Sequence, residues 1–250
     1  MKLSTVTGIG LTDVGQVRST NQDSLLVDEE ARLYIVADGM GGHAGGEIAS
    51  RICVEKIQER VRSEAQVLNS AKEHPEPSIL SCLSNSVNYA SSKIYEHSLE
   101  DPSLRGMGTT ATAVKVIDNF AYFAHVGDSR LYLIRQGFIY QMTFDHSLVN
   151  EQVRAGIITP EEAEFHHLKN VITRSVGYQE EEDVDASCFS LEDGDFLLLC
   201  SDGLHGKISD AELSNKISKE GLDSVPELVN LANDRGGEDN ITALIIKIEA

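Results

Sequence analysis

The chain has 250 residues, 41% of them hydrophobic, and is long enough to bury a substantial core in one domain. Its 21 lysine and arginine residues stand against 40 aspartate and glutamate residues, which gives a formal net charge of −19. This charge repels nucleic acid and anionic membrane surfaces, so we expect neither of them as a partner.

The cysteines and the hydropathy pattern predict where the protein resides. Cys53, Cys82, Cys188 and Cys200 are scattered, without a C-x-x-C pair or a histidine at zinc spacing, as is typical of reduced cysteines. The first residues contain no apolar signal region, and no apolar run approaches the ~20 residues that span a bilayer. We therefore expect a cytoplasmic protein.

The N-terminal third predicts strands followed by helices. Apolar runs indicate strands at 5–11, 24–28 and 32–37, and a helix over about 46–62. The polar stretch 63–78 is interpreted as a linker. A second helix follows, because apolar residues recur there at three- and four-residue steps, at Leu80, Leu83, Val87, Ala90 and Ile94.

From Thr109 the pattern changes to short apolar runs separated by turns of two or three residues. The runs are TTATAVKVI, FAYFAHV, RLYLIR and FIY. Parallel neighbours need a crossover of a dozen or more residues, so these runs predict antiparallel hairpins in a meander. Residues 143–180 are more polar and contain Thr159-Pro160-Glu161-Glu162, a capping-box pattern that predicts a small helical insertion.

The last third predicts a strand at 195–200, a turn, two helices and a final strand at 241–248. Each helix is expected to open with a capping box, Ser209 with Glu212 and Ser224 with Glu227. There is no internal repeat or clear linker. The whole pattern favours one α/β domain with helices packed on antiparallel sheets.

A glycine-rich stretch, ADGMGGHAGGE at residues 37–47, follows the strand at 32–37. It fits the G-x-G-x-x-G/A dinucleotide fingerprint, which would indicate an oxidoreductase. That interpretation requires a second parallel strand and an acidic residue about 20 positions later, but this position is Glu59, inside the predicted helix. Asp38 would also face the pyrophosphate unless a cation stood between them. The oxidoreductase interpretation is therefore disfavoured.

Aspartates recur at the ends of predicted strands. Asp38 and Asp202 each follow an apolar run and precede a glycine, Asp128 follows FAYFAHVG, and Asp239 precedes ITALIIKI. Any one of them is more typical of a turn. If the strands lie side by side, however, these carboxylates share an edge and repel one another unless divalent cations neutralise them. Oxygen ligands without clustered histidine or cysteine suit Mg²⁺ or Mn²⁺.

These residues resemble those of the PPM-type metal-dependent protein serine/threonine phosphatases, in their bacterial single-domain form. The resemblance covers nearly the whole chain, and its motifs occur in the family's order. They are Asp13-x-Gly15-x-x-Arg18-x-x-Asn21-Gln22-Asp23, the ADGMGGHAGGE stretch, Gly106-Met107-Gly108-Thr109-Thr110, Val126-Gly127-Asp128-Ser129-Arg130, Asp145-His146-Ser147, Ile172-Thr173-Arg174-x-x-Gly177, Ser201-Asp202-Gly203-Leu204, and Gly236-Gly237-x-Asp239-Asn240-x-Thr242.

The resemblance implies a four-layer α-β-β-α sandwich, in which two antiparallel sheets are flanked by helices and the metal site lies at one edge. It implies a single domain over residues 1–250, with a variable flap at about 143–180 beside the active site. By matching position, Asp38 would bridge two Mg²⁺ or Mn²⁺ ions, and Gly39 would offer its backbone carbonyl. Asp202 and Asp239 would complete the pair.

The resemblance implies further roles around this pair of ions. Asp23 would act on the same cluster, directly or through coordinated water, and Asp128 would help hold a third ion. Arg18 would bind the phosphate, since its planar fork can bond two phosphate oxygens. The implied reaction is hydrolysis of phosphoserine and phosphothreonine in proteins, by in-line attack of a hydroxide that bridges the two metals.

The expected partners are phosphorylated proteins, substrates of a serine/threonine kinase, and we expect a monomer. An alternative from another class is a catalytically silent module of the same fold that binds phosphoproteins. The full set of aspartates argues against the silent module.

The proton donor for the leaving group is left open by the sequence. Many eukaryotic members of the family have a histidine directly after the Asp-Gly pair, where this chain has Met40. His43 is the nearest candidate for a general acid, and ordering the loop is an equal alternative for it. His146 receives no catalytic role. Arg130 and Arg174 are expected to anchor loops, and the hydroxyls of Thr109, Thr110 and Ser129 to bond within turns.

Overall fold

The computed structural model describes residues 5–42, 44–70 and 75–249. Its strands are β1 (Thr5–Asp13), β2 (Asp23–Asp28), β3 (Leu33–Met40), β4 (Gly108–Thr109), β5 (Ala111–Ile117), β6 (Phe120–Val126), β7 (Arg130–Arg135), β8 (Phe138–Gln141), β9 (Asp185–Ser190), β10 (Phe196–Cys200) and β11 (Ile241–Glu249). Its α-helices are α1 (Gly45–Ser70), α2 (Pro75–Glu100), α3 (Leu148–Arg154), α4 (Pro160–Glu164), α5 (Asp202–His205), α6 (Asp210–Glu220) and α7 (Ser224–Asp234).

Two antiparallel sheets pack face to face. The first sheet has the strand order β1-β11-β10-β7-β8, and the second has the order β2-β3-β5-β6-β9, with β4 paired to β3. Helices α1 and α2 cover the outer face of the second sheet, and α6 and α7 cover the outer face of the first. This is the four-layer α-β-β-α sandwich that the resemblance implied. Since all the strand pairs are antiparallel among the described residues, the βαβ unit of a dinucleotide site does not form.

Strand β3 explains why the sequence before the glycine-rich stretch is apolar at every position. Leu33, Ile35 and Ala37 face α1 and α2, whereas Tyr34 and Val36 face the core between the sheets. All five side chains are fully buried. A strand covered on both faces has no polar alternation, because both faces contact other layers.

The helices of the N-terminal half are longer than the sequence predicted. Helix α1 continues to Ser70, and α2 begins at Pro75, so the predicted linker over 63–78 is wrong in its described part. Residues 71–74 lie outside the described residues. A polar stretch can continue a surface helix without an apolar stripe, and proline is tolerated in the first helical turn because its missing N–H is not needed there.

The predicted meander is correct for two hairpins and wrong between them. Strands β5 and β6 pair, as do β7 and β8, but β7 pairs with β10 and not with β6. Residues Gly127, Asp128 and Ser129 therefore carry the chain from the second sheet to the first. Gly127 has φ +107, and a Cβ there would lie 2.6 Å from the Thr110 side chain, so this crossing requires glycine. A short turn between apolar runs does not reveal whether the next strand pairs or changes sheet.

The capping boxes at Thr159 and Ser209 are confirmed. The Thr159 hydroxyl accepts from the Glu162 N–H at 3.2 Å, and the Glu162 carboxylate accepts from the Thr159 N–H at 2.8 Å. The box at Ser224 is wrong. Ser224 is the first residue of α7, and its hydroxyl donates to the Gly221 carbonyl, while Glu227 forms an ion pair with Lys216.

Three elements that position the site were not assigned from the sequence. They are strand β9, the short helix α3 within the 143–180 insertion, and the one-turn helix α5, where the sequence predicted only a turn. The two helices are too short to show a helical period, and β9, with the sequence DASCFS, consists of small or polar residues apart from Phe189. Among the described residues, no helix is both long and apolar enough to cross a bilayer.

Candidate metal centre

Aspartates from both sheets meet at one edge of the sandwich, which is called the metal edge. Asp23 begins β2 and lies directly opposite Asp38 near the end of β3. Asp202 begins α5 after β10, and Asp239 precedes β11, the neighbour of β10 in the first sheet. Asp128 lies where the chain crosses between the sheets. The structure therefore brings together the five aspartates that the sequence singled out.

Burial and mutual repulsion perturb these carboxyl groups. Burial, with hydrogen bonds opposing it and neighbouring aspartates adding to it, raises the pKa of Asp23 to about 6. Burial and the Asp239 carboxylate raise the pKa of Asp202 to about 6, and burial and Asp202 raise the pKa of Asp128 to about 7. The pKa of Asp38 is raised well above its usual range, first by burial and then by Asp23. These groups do not all ionise near neutral pH unless positive charge is brought to them.

Two carboxylate oxygens in this group fit a cation. Asp23 Oδ1 and Asp202 Oδ1 are buried and have no hydrogen-bond partner among the described residues. A buried carboxylate oxygen without a donor is costly, and a divalent cation with oxygen preference satisfies it. The donor set, made of carboxylates and backbone carbonyls without cysteine or histidine, fits Mg²⁺ or Mn²⁺.

The side chains do not, however, form a closed cage around one point. Within the described part of the chain, no three acidic, histidine or cysteine side chains are grouped closely enough for that. One reason is Asp239, whose Oδ2 accepts from Arg18 at 2.7 Å and whose Oδ1 accepts from the Asn240 N–H at 2.8 Å. The orphaned oxygens and the raised pKa values both mark this edge as short of positive charge.

The end of β3 is fixed by close backbone contacts. The Gly39 N–H donates to the Gln22 carbonyl at 3.1 Å, and a Cβ on Gly39 would lie 2.0 Å from the Gly46 carbonyl oxygen. Only glycine fits between β2 and the start of α1. Gly39 and Gly46 therefore permit close packing at the metal edge, in place of the phosphate cradle that the glycine spacing suggests.

Thr109 and Thr110 hold the backbone of Asp38. The Asp38 N–H donates to the Thr110 hydroxyl at 2.9 Å, and the Asp38 carbonyl accepts from the Thr110 N–H at 2.8 Å and from the Thr109 hydroxyl at 2.9 Å. The Thr110 hydroxyl also lies 2.7 Å from that of Ser129. The expectation that these hydroxyls serve local turns is wrong for Thr110 and Ser129, whose partners are distant in the chain, whereas the Thr109 hydroxyl also bonds the neighbouring Thr110 carbonyl at 2.9 Å.

The corner that carries Asp128 is held by two histidines. His146 Nδ1 accepts from the Gly127 N–H at 3.1 Å, which agrees with a structural role for this residue. His205 Nε2 lies 3.1 Å from the Asp128 carbonyl oxygen. Burial lowers the pKa of His205 to about 4, so this histidine is neutral at physiological pH. His205 was not among the residues predicted from the sequence, and its spacing of three residues from Asp202 is the signal that could have found it.

The arginines divide into anchors and an exposed residue at the metal edge. Arg130 bonds both oxygens of the buried Asp145, and Arg174 pairs with Asp185 at 3.1 Å, so both connect loops as expected. Arg18 has a side chain that is 51% exposed and forms its ion pair with Asp239. His43, the candidate general acid, lies outside the described residues, so its role stays a prediction.

Comparisons with known proteins point to one family. A family model described as Protein phosphatase 2C matches residues 15–243. The chain is 41% identical over 244 residues to protein phosphatase PhpP of Streptococcus pneumoniae, covering 95% of this chain and 96% of that protein. The solved serine/threonine phosphatase PstP/Ppp of Mycobacterium tuberculosis superposes with a TM-score of 0.88 at 33% identity, covering 98% and 99% of the two chains.

A second structure, of the PstP catalytic domain, holds two manganese ions. It superposes with a TM-score of 0.85 at 33% identity, again over 98% of this chain and 99% of that chain.

Proposed function

The chain belongs to the protein phosphatase 2C family, and from this premise we propose how its residues carry out the metal-dependent hydrolysis of phosphoserine and phosphothreonine in proteins. The observation that carries the assignment of residues is the group of aspartates at one edge, two of which present buried oxygens without partners among the described residues. That edge is therefore short of positive charge.

The proposed ligands of two core ions, Mg²⁺ or Mn²⁺, are Asp38, the Gly39 carbonyl, Asp202 and Asp239. Asp23 acts on the same cluster, directly or through water. Asp128 is proposed to help hold a third ion, since its own pKa is raised by burial and by the nearby Asp202 carboxylate. Support for these roles comes from their shared edge and from the orphaned Oδ1 atoms of Asp23 and Asp202.

When bound, the metal ions supply Lewis-acid charge that activates water near neutral pH and neutralises the phosphate. Arg18 is proposed to bind the phosphate of the substrate. Its guanidinium lies 2.7 Å from an oxygen of Asp239, so a phosphate held at this edge is within its reach. The planar fork then stabilises negative charge that spreads over the phosphate oxygens. The source of the proton for the leaving serine or threonine stays a prediction, with His43 as the candidate.

The substrates are phosphorylated proteins of a serine/threonine kinase. We propose a single domain in which residues 143–180 form a flap that contacts these proteins, because Ile157 and Phe165 there are 70% and 87% exposed. We propose a monomer that binds neither nucleic acid nor membranes, as the net charge of −19 suggests. A cytoplasmic location is supported by four cysteines that are all free thiols.

The test is hydrolysis of a phosphothreonine peptide with Mn²⁺ and with chelator. We expect turnover with Mn²⁺ and none in chelator. The turnover rate of the Asp239→Ala variant should be lower than that of the wild type by at least about two orders of magnitude, since a lost metal costs several kcal/mol of charge stabilisation. Asp118→Asn, a change on the β5–β6 turn, is the matched control and should keep wild-type turnover. Peptide binding without turnover in Mn²⁺ would instead support the catalytically silent module.

A further inference from the structure

The two carboxylate oxygens of Asp23 lie in different surroundings. Asp23 is 7% exposed, and its Oδ2 accepts from the hydroxyls of Thr242 at 2.6 Å and Ser201 at 2.8 Å. Its Oδ1 has no partner among the described residues. One oxygen is therefore held by the protein, while the other is left to the metal edge.

When Asp23 is ionised, the hydroxyl protons around it take a single order. Ser201 accepts from the Thr242 N–H at 2.9 Å, so its hydroxyl proton is free to go to Asp23. The Thr242 hydroxyl lies close to both Asp23 Oδ2 and the Thr12 hydroxyl, which is 2.8 Å away. An ionised carboxylate can only accept, so Thr242 donates to Asp23 and Thr12 donates to Thr242.

Asn21 completes the series of bonds. Its amide nitrogen donates to the Thr12 hydroxyl at 2.9 Å, which leaves the Thr12 proton for Thr242. Its carbonyl oxygen accepts from the Asp23 N–H at 3.1 Å. Asn21 thus donates to Thr12, Thr12 to Thr242, and Thr242 to the Asp23 carboxylate. The Asp23 N–H donates back to Asn21, so these hydrogen bonds form a closed ring.

The fold places these groups together from different sheets. Thr12 in β1 lies directly opposite Thr242 in β11, and Ser201 follows β10, the other neighbour of β11. Asp23 belongs to the second sheet. Two hydroxyls from the first sheet and its end, those of Thr242 and Ser201, therefore hold a carboxylate of the other sheet, and Thr242 lies 219 residues away from Asp23 in the sequence.

We propose that Thr242, oriented by Thr12 and Asn21 and assisted by Ser201, is a positioning residue that fixes Asp23 so that its Oδ1 faces the cations of the active site. The inference rests on the proposed function and adds to it the group that orients one carboxylate. The hydroxyl donates to the ionised form of Asp23, which is the form that acts on a metal or its water. Removing it leaves a buried carboxylate with one donor fewer and freer to rotate.

The test compares Thr242→Val, which keeps the shape and removes the hydroxyl, with Thr242→Ser, which keeps the hydroxyl. Mn²⁺ affinity is measured by calorimetry. We expect roughly 10- to 100-fold weaker binding for Thr242→Val, as for other partners of metal-site residues, and binding within about threefold of wild type for Thr242→Ser. Because Thr12 acts through Thr242, adding Thr12→Val to Thr242→Val should change the affinity little further.

Unfolding midpoints in chelator report whether each variant is folded. Wild-type Mn²⁺ affinity in folded Thr242→Val overturns the proposal, and so does an equal loss in Thr242→Ser, because packing and not the hydroxyl would then matter. If Thr242→Val does not fold, the Mn²⁺ affinities of Ser201→Ala and Thr12→Val are measured in its place. Wild-type Mn²⁺ affinity in both of these variants overturns the proposal. Failure of the wild-type protein to bind Mn²⁺ or hydrolyse phosphopeptide would instead refute the proposed function.

Discussion

Arg18 differs from Arg130 and Arg135, which also form ion pairs with aspartates. The Arg130–Asp145 and Arg135–Asp195 pairs have aspartate side chains that are 7% and 1% exposed, so they anchor strands and loops. The Arg18–Asp239 pair is 51% and 39% exposed, and such a pair contributes little to stability. The exposed pair leaves the Arg18 guanidinium accessible for the phosphate contact proposed above.

Arg18→Ala should weaken turnover more than it weakens the fold. We expect kcat/KM for a phosphothreonine peptide to fall roughly 10- to 100-fold, because hydrogen bonds to a charged phosphate are lost, with an almost unchanged unfolding midpoint. Steady-state kinetics at saturating Mn²⁺ measure this. Arg60→Ala, which removes an exposed arginine paired with Glu64 on α1, is the control and should leave kcat/KM unchanged. Equal kinetics for the two variants would exclude Arg18 from the site.

At the scale of elements, the junction of β3 with α1 sets the geometry of the metal edge. Gly39 passes between the Gln22 and Gly46 carbonyls, with no room for a side chain. Gly42, three residues later, has nothing within 4 Å of the position that its Cβ would take. Two glycines of one stretch thus differ in whether the fold needs them.

Gly39→Ala should both destabilise the protein and weaken Mn²⁺ binding. The added methyl group overlaps two backbone carbonyls, so β2 or α1 must shift, which typically costs about 1–3 kcal/mol. The same shift moves the Gly39 carbonyl and the neighbouring Asp38. Denaturant unfolding and Mn²⁺ calorimetry measure the two effects. Gly42→Ala should change neither, and if it had the same effects, the loss would belong to the stretch in general and not to the close contact.

At the scale of the whole molecule, the metal edge joins the two sheets. Asp23 and Asp38 come from the second sheet, Asp202 and Asp239 flank strands of the first, and Asp128 lies on the crossing between them. Cations at this edge would hold the two sheets together. Metal binding should therefore stabilise the sandwich as a whole, by about 2.7 kcal/mol when the metal concentration is 100 times the Kd.

The stabilisation by Mn²⁺ should increase from pH 5 to pH 8. The folded pKa values of Asp23 and Asp202 are about 6 and that of Asp128 about 7, against an ordinary value of 3.8. Protonated carboxyls therefore stabilise the metal-free fold fully below about pH 3.8, and this contribution is lost as the pH rises through 6 to 7. Over the same range the carboxylates become available to Mn²⁺.

The measurement is the thermal midpoint at each pH, with excess Mn²⁺ and with chelator. The difference between the two midpoints should widen toward pH 8, and Asp128→Asn should narrow it there because one titrating carboxyl is removed. A difference that stays constant from pH 5 to 8 would show that these aspartates do not link metal binding to stability.

The sequence by itself determined the features that depend on local pattern. Alternating apolar runs with short turns predicted antiparallel sheets, three- and four-residue steps predicted α2, and the capping boxes at Thr159 and Ser209 marked helix starts. The order of the motifs identified the family, and aspartates at strand ends indicated a shared edge. These features are readable because each depends on neighbours along the chain.

Only the tertiary structure decided which sheet each strand joins and what surrounds each aspartate. The crossing at Gly127, Asp128 and Ser129 looks like a hairpin turn in the sequence, because the runs on either side suit both outcomes. The bond from Thr242 to Asp23 joins residues 219 positions apart, and a threonine in a strand is unremarkable by type. Such contacts form when the two sheets pack against each other, and no repeating pattern of neighbouring residues indicates them in the sequence.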